Sequence, residues 1–184
     1  MNELNYLYTL NWRGLYPNVE EFESLIRNVE KMGWEDWKVY GSDPYCEKIR
    51  ALTNFEDKAK REWEWLSENK VKTIKWGQKN YPKLFRQVKY PPLLLTCKGN
   101  DSVLTKNSLA IVGSRNPGKW SKEWMENELP GFLSVFDGVV LSGGAVGIDQ
   151  LAHVLSLRNR VPTLAFLPSG MQKIYPKSFC GFIY

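Results

Sequence analysis

Between Val19 and Met32 the apolar positions Val19, Phe22, Leu25, Ile26 and Val29 recur at intervals of three and four, which places them on one face of a helix. Asn18, after the loop Gly14-Leu15-Tyr16-Pro17, is a suitable N-cap for it. Tyr45 to Leu52 and Asn54 to Asn69 predict two further helices, the second with Phe55, Ala59, Trp63 and Leu66 along one side. After Asn69 the periodicity changes. Val71 to Trp76 alternates as a half-exposed strand would, and Leu93 to Cys97 reads as another short strand after Pro82, Pro91 and Pro92. Three near-continuous apolar runs follow, Leu109 to Val112, Val139 to Leu141 and Thr163 to Leu167, as expected of parallel strands covered on both faces. Helical segments separate them, Lys119 to about Phe136 and Ile148 to Leu157, with Pro130-Gly131 expected to kink or split the first. Strands alternating with helices imply right-handed βαβ units. The predicted fold is α/β: a Rossmann-like, mainly parallel sheet over residues 69–184 with a small helical N-terminal domain over 1–68.

Composition supports a folded core. Of 184 residues 43% are hydrophobic and 24% charged, an ordinary balance for a globular chain. No run approaches the roughly 20 apolar residues of a membrane helix, and the first residues lack the pattern of a signal peptide. Cys46, Cys97 and Cys180 are odd in number with no metal-like spacing, and His153 is the one histidine, so a disulfide framework, a metal centre and a membrane partner are not expected. A cytoplasmic location is the expectation. Net charge is +5, but eight Lys or Arg fall between Asn69 and Asn100 with no acid among them, a span suited to a positive face that attracts a polyanion. The eight tryptophans are expected chiefly in packing, and any exposed ring can stack on a base.

Two loops follow the carboxyl ends of predicted strands, where open α/β sheets bind ligands. Gly113-Ser114-Arg115-Asn116-Pro117-Gly118 offers a sharp turn, a hydroxyl and a guanidinium fork before a helix N-terminus, a set suited to a phosphate. Ser142-Gly143-Gly144-Ala145-Val146-Gly147-Ile148-Asp149 opens the next helix and would aim backbone amides at an anion, with Asp149 fixing the loop or meeting a sugar hydroxyl or base edge. A tight connection is the competing reading of each loop. Neither matches a Walker loop or Gly-x-Gly-x-x-Gly, which disfavours a conventional dinucleotide enzyme. Asp149 and His153, four apart, are placed to hydrogen-bond on one helix face, more as a structural contact than as an acid–base pair. With no nucleophile, metal ligand set or cofactor motif, no enzymatic activity is expected.

The order of these motifs resembles the DNA-processing protein family DprA, also called Smf. The likeness rests on Ala110-Ile111-Val112-Gly113-Ser114-Arg115, on Ser142-Gly143-x-Ala145-x-Gly147-Ile148-Asp149 and x-Ala152-His153, and on Leu167-Pro168-Ser169-Gly170 through Tyr175-Pro176. Tyr81-Pro82-Lys83-Leu84-Phe85, Pro91-Pro92-Leu93-Leu94 and Gly99-Asn100 extend it upstream, so it covers about residues 69–178. The resemblance implies a Rossmann-like domain that binds single-stranded DNA without hydrolysing it, acts in DNA uptake and natural transformation, and helps load the recombinase RecA. It implies that Arg115 grips a phosphate with Gly113 and Ser114 shaping the pocket. Ser142, Gly143, Gly144 and Gly147 then line an adjoining pocket that Asp149 holds in place.

Three departures bear on that expectation. Val146 stands where the family usually has a lysine or arginine before Gly-Ile-Asp, and one fewer phosphate contact flattens the log–log salt slope by about 0.9 for duplex or 0.7 for single strands. The N-terminal region lacks a clear Gly-x-Gly hairpin turn. Family members continue beyond Tyr175-Pro176 with more sheet and helix that serve homodimer formation and RecA binding, so a truncated or divergent member is expected, with an apolar tail Phe179 to Tyr184 as exposed contact surface. The alternative reading is a nucleotide-derivative binding or processing module of similar fold, in which the two loops hold a single phosphate and a ribose.

Overall fold

The computed structural model describes residues 4–168, 170–177 and 179. The chain forms two compact units, Met1–Lys98 and Gly99–Tyr184. This division lies later than the boundary expected at 68/69, and the packing explains why. Leu93 and Trp76 join the hydrophobic cluster of the N-terminal helices. The Tyr8 hydroxyl donates to the Trp76 carbonyl, Lys75 donates to Asn5 Oδ1 at 2.7 Å, and the Leu93 amide donates to Asn11 Oδ1 at 2.9 Å. The strands around Trp76 and Leu93 are thereby stitched to the helical module.

In the first unit α1 (Asn5–Tyr8), α2 (Val19–Met32), α3 (Trp34–Tyr40), α4 (Pro44–Ala51) and α5 (Phe55–Glu68) precede the strands β1 (Lys72–Lys75) and β2 (Leu94–Cys97). α2 has the expected bounds, and Asn18 and Glu21 close a reciprocal capping box at its start. α1 and α3 were not legible: Trp34 and Trp37 of α3 are buried, but seven residues are too few to display a period. β1 and β2 pair antiparallel, with Ile74 opposite Leu95.

The second unit runs β3 (Ser108–Ala110), α6 (Lys119–Leu133), β4 (Val139–Ser142), α7 (Ile148–Arg158) and β5 (Thr163–Ala165). The three strands are parallel in the order β3-β4-β5, with Ala110 beside Leu141 and Leu141 beside Leu164. Two like-handed crossovers advancing in one direction put both helices on one face. Accordingly Met125, Leu129 and Leu133 of α6 and Ile148, Ala152 and Leu155 of α7 share one cluster with Val140 and Ile111. The coverage of both faces expected from the apolar runs forms at β4, where the successive residues Val139 and Val140 are both buried, but not at the end of β3. Ala110 is exposed and Val112, two residues on, is 76% exposed. The architecture is mixed α/β, and this small sheet carries one half of a doubly wound arrangement.

α6 continues through Pro130, contrary to the expected kink or split. The proline falls in the last turn, so only one ladder bond is lost and the helix ends three residues later at Leu133. Among the described residues no helix is long and apolar enough to cross a membrane.

Candidate functional site

Both predicted loops lie at the carboxyl ends of their strands, and the structure packs them against each other. Gly147 has φ of +93°, and a Cβ there would collide with the Ser114 carbonyl oxygen. A side chain is thus barred both by backbone conformation and by the first loop. The Ser114 carbonyl accepts the Ile148 amide at 3.2 Å, tying the loops together at the start of α7. A Cβ on Gly113 would meet Ile148 Cγ1 at 2.7 Å, so the glycine lets the first loop sit directly on α7.

The first loop keeps its polar groups outward. Gly113, Ser114, Arg115 and Asn116 are exposed. Ser114 Oγ accepts the Asn116 amide at 3.1 Å, a local turn that fixes Arg115 between them. Among the described residues the Arg115 guanidinium has no hydrogen-bond or ion-pair partner. α6 begins at Lys119 with Gly118 as its cap and no capping side chain. Its first turn leaves the amides of Lys119, Trp120 and Ser121 without a bond to another described residue, the usual condition of a helix N-terminus able to meet an anion.

The second loop is more committed to the protein than the sequence suggests. The Ser142 hydroxyl is buried and donates to the Ile111 carbonyl at 2.7 Å, bridging β4 to the end of β3. Its carbonyl accepts the Phe166 amide. Gly144, at φ +80°, faces the Phe179 ring, whose nearest atom would lie 2.9 Å from a Cβ. Gly143 packs on the Asp149 carboxylate at 2.8 Å by the same measure. Asp149 is buried, and its Oδ2 accepts the Ala145 amide at a long 3.4 Å, so it does brace the loop. At the start of α7 the Ile148 and Gln150 amides are taken by the carbonyls of Ser114 and Ala145. The loop therefore has two parts: the Ala145, Ile148 and Gln150 amides are taken within the protein, while those of Gly143, Gly144, Val146 and Gly147 have no bond to another described residue.

His153 does not hydrogen-bond to Asp149. Its Nδ1 lies 2.6 Å from Thr163 Oγ1, and the Thr163 hydroxyl donates to the Val140 carbonyl at 3.0 Å. With the hydroxyl proton spent, Nδ1 carries the imidazole proton, and Nε2 is buried without a partner among the described residues. Burial pushes the His153 pKa down, against a smaller upward pull from Asp149. Phe179 packs on the imidazole with ring centroids 5.2 Å apart. This residue is 2% exposed, so the expected exposed tail is corrected at its first position, and Cys180 to Tyr184 lie outside the described residues, as does Ser169.

The basic span from Asn69 to Asn100 falls almost wholly in the first unit, whereas both loops are in the second. It does not form one uniform face. Lys75 turns inward beneath Tyr8 and Trp63, and burial lowers its pKa. Arg86 donates to the Gln78 carbonyl and lies over Tyr81, while Lys79, Lys83 and Lys89 remain exposed.

Two residues beside the first loop were not singled out from the sequence. Trp120 and Trp124 on α6 are 74% and 53% exposed. Their signal was present in the spacing: they fall out of phase with Met125, Leu129 and Leu133, which face the core. The covering of Gly144 by Phe179, a contact between distant parts of the chain, left no comparable pattern.

The family model for DNA recombination-mediator protein A matches residues 72–181. The chain belongs to that family. It is 33% identical over 135 residues to DNA processing protein DprA of Bacillus subtilis (strain 168), covering 71% of this chain and 45% of that protein. It is 35% identical over 98 residues to DNA processing protein DprA of Streptococcus pneumoniae, covering 53% of this chain and 34% of the relative. Protein Smf of Borreliella burgdorferi is 30% identical over 112 residues, 61% of this chain and 35% of the relative. The chain thus spans less than half the length of these relatives. The X-ray structure of DNA processing protein A (DprA) from Streptococcus pneumoniae superposes with a TM-score of 0.58 at 26% identity, covering 83% of this chain and 60% of that one. The matched segment of this DprA-family chain contains both loops.

Proposed function

We propose that this chain binds single-stranded DNA through the first loop and the start of α6, without hydrolysing it, in the cytoplasmic handling of DNA during uptake and recombination. Delivery of the strand to the recombinase RecA is part of the same proposal. The observation that carries it is Arg115: an exposed guanidinium with no partner among the described residues, held by the Ser114 turn at the carboxyl end of a parallel strand. An exposed guanidinium on a turn beside free helix amides suits a phosphodiester, which it can meet with a charge-assisted bond. Gly113 and Ser114 shape this grip; Gly143 and Asp149 support it from beneath, and Gly147 sets the distance between the loops. Ser142 and Gly144, whose open sides are filled by Ile111 and Phe179, serve as scaffold rather than as contacts.

Fluorescence anisotropy with labelled oligothymidylate at low salt tests the proposal. The wild-type chain is expected to bind, and Arg115→Ala to bind at least about tenfold more weakly, the worth of one charge-assisted contact. No binding by the wild type, with thermal stabilisation by mononucleotides instead, would replace this reading by that of a small-molecule module.

A further inference from the structure

We infer that Trp120, with Trp124 one turn further along α6, forms a base-stacking platform for the strand whose phosphate Arg115 holds. The inference rests on the strand-binding reading above and extends it from the backbone of the nucleic acid to its bases.

Tryptophan is seldom left in water, because its large apolar surface gains most from burial. Trp120 and Trp124 are nevertheless 74% and 53% exposed, on a helix whose core contacts are made by Met125, Leu129 and Leu133. Residues four apart lie one above the other on a helix surface, so the two indoles share one face. An exposed pair of large rings is a site in need of a flat, apolar partner, and every base offers a π-face.

The surroundings say which flat partner. From Gly113 to Lys122 the chain carries Arg115, Lys119 and Lys122 and no acid. Lys119 is 89% exposed at its side chain, and its link to Glu123 is a 3.5 Å surface pair of small worth. Trp120 thus emerges among Lys119, Lys122 and the open guanidinium of Arg115, while Trp124 lies just past them, between Glu123 and Glu126. A polyanion that also presents aromatic faces meets both requirements at once. A protein surface would need to supply acids and an apolar patch at the same spacing.

The readout that separates stacking from charge is DNA lacking bases. Anisotropy is measured for the full chain and for Trp120→Ala, Trp124→Ala and Trp120→Phe, with oligothymidylate and with an abasic oligonucleotide of equal length. Trp120→Ala is expected to lose about tenfold in affinity for oligothymidylate, Trp120→Phe much less, and all variants to bind the abasic strand as the wild type does. The exposed positions leave folding intact, which thermal unfolding of each variant checks. If Trp120→Ala and Trp124→Ala bind oligothymidylate like the wild type while Arg115→Ala is weakened, the stacking inference is overturned and the strand-binding reading stands. If the wild type fails to bind any oligonucleotide, both fall. A concentration-dependent dimer in sedimentation that Trp120→Ala dissolves, with DNA affinity unchanged, would assign the rings to a second copy of the chain and likewise overturn the inference.

Discussion

At the scale of single residues, the site is defined by which polar groups are already spent. Ser142 gives its hydroxyl to Ile111, Asp149 takes the Ala145 amide, and Arg115 has no partner among the described residues. His153 shows the same logic in the interior. Its Nε2 is buried with no partner among the described residues, and protonating it would place a charge in a buried site against the Phe179 ring. The folded pKa is therefore below that of the unfolded chain, so the unfolded state binds the proton first as pH falls. The neutral imidazole contributes its full stability above about pH 6.5, and that contribution is lost progressively below it, toward the depressed folded value. Urea unfolding between pH 7 and pH 5 is expected to show falling stability in the wild type and a flatter profile in His153→Gln. A wild-type profile that rises on acidification would contradict the assigned protonation state.

At the scale of elements, two loops make one structure. Gly147 touches the first loop so closely, and at a left-handed φ, that Gly147→Ala must either strain α7 at its start or push Ser114 aside. A loss on the order of 2–3 kcal/mol in denaturant unfolding is expected. DNA affinity should fall with it, because Arg115 rides on the displaced loop. A neutral substitution would mean the loops are not mutually braced. The elements themselves were largely legible. α2 announced itself through Val19, Phe22, Leu25 and Val29 with Asn18 as cap, because period and cap are local properties. α3 was hidden because a seven-residue helix between Gly33 and Gly41 shows too little pattern. The position of both loops followed from strand ends, yet their division of labour did not. Whether Ser142 faces a ligand or Ile111, and whether Gly144 faces solvent or Phe179, depends on register and on distant contacts that no local spacing encodes.

At the scale of the molecule, the chain is two units with separate cores. The first gathers Trp34, Trp37, Phe22 and Phe55 with Leu93, which is why its boundary lies beyond the second strand rather than at the end of α5. Residues 1–98 alone are expected to fold, giving a helical far-ultraviolet circular dichroism spectrum and a cooperative urea transition. A fragment without tertiary signal would contradict that independence. The second unit places the DprA-type loops at the carboxyl ends of β3 and β4, in a sheet whose helices pack on a single face, so binding is expected to reside there whatever the first unit adds.

The most direct test of the account is the salt dependence of oligothymidylate binding, compared between the wild type and Arg115→Ala. Affinity should fall linearly on a log–log plot, and the variant's slope should be shallower by about 0.7, one single-strand phosphate contact. Equal slopes and equal affinities would show that Arg115 meets no phosphate, and the central claim would be wrong.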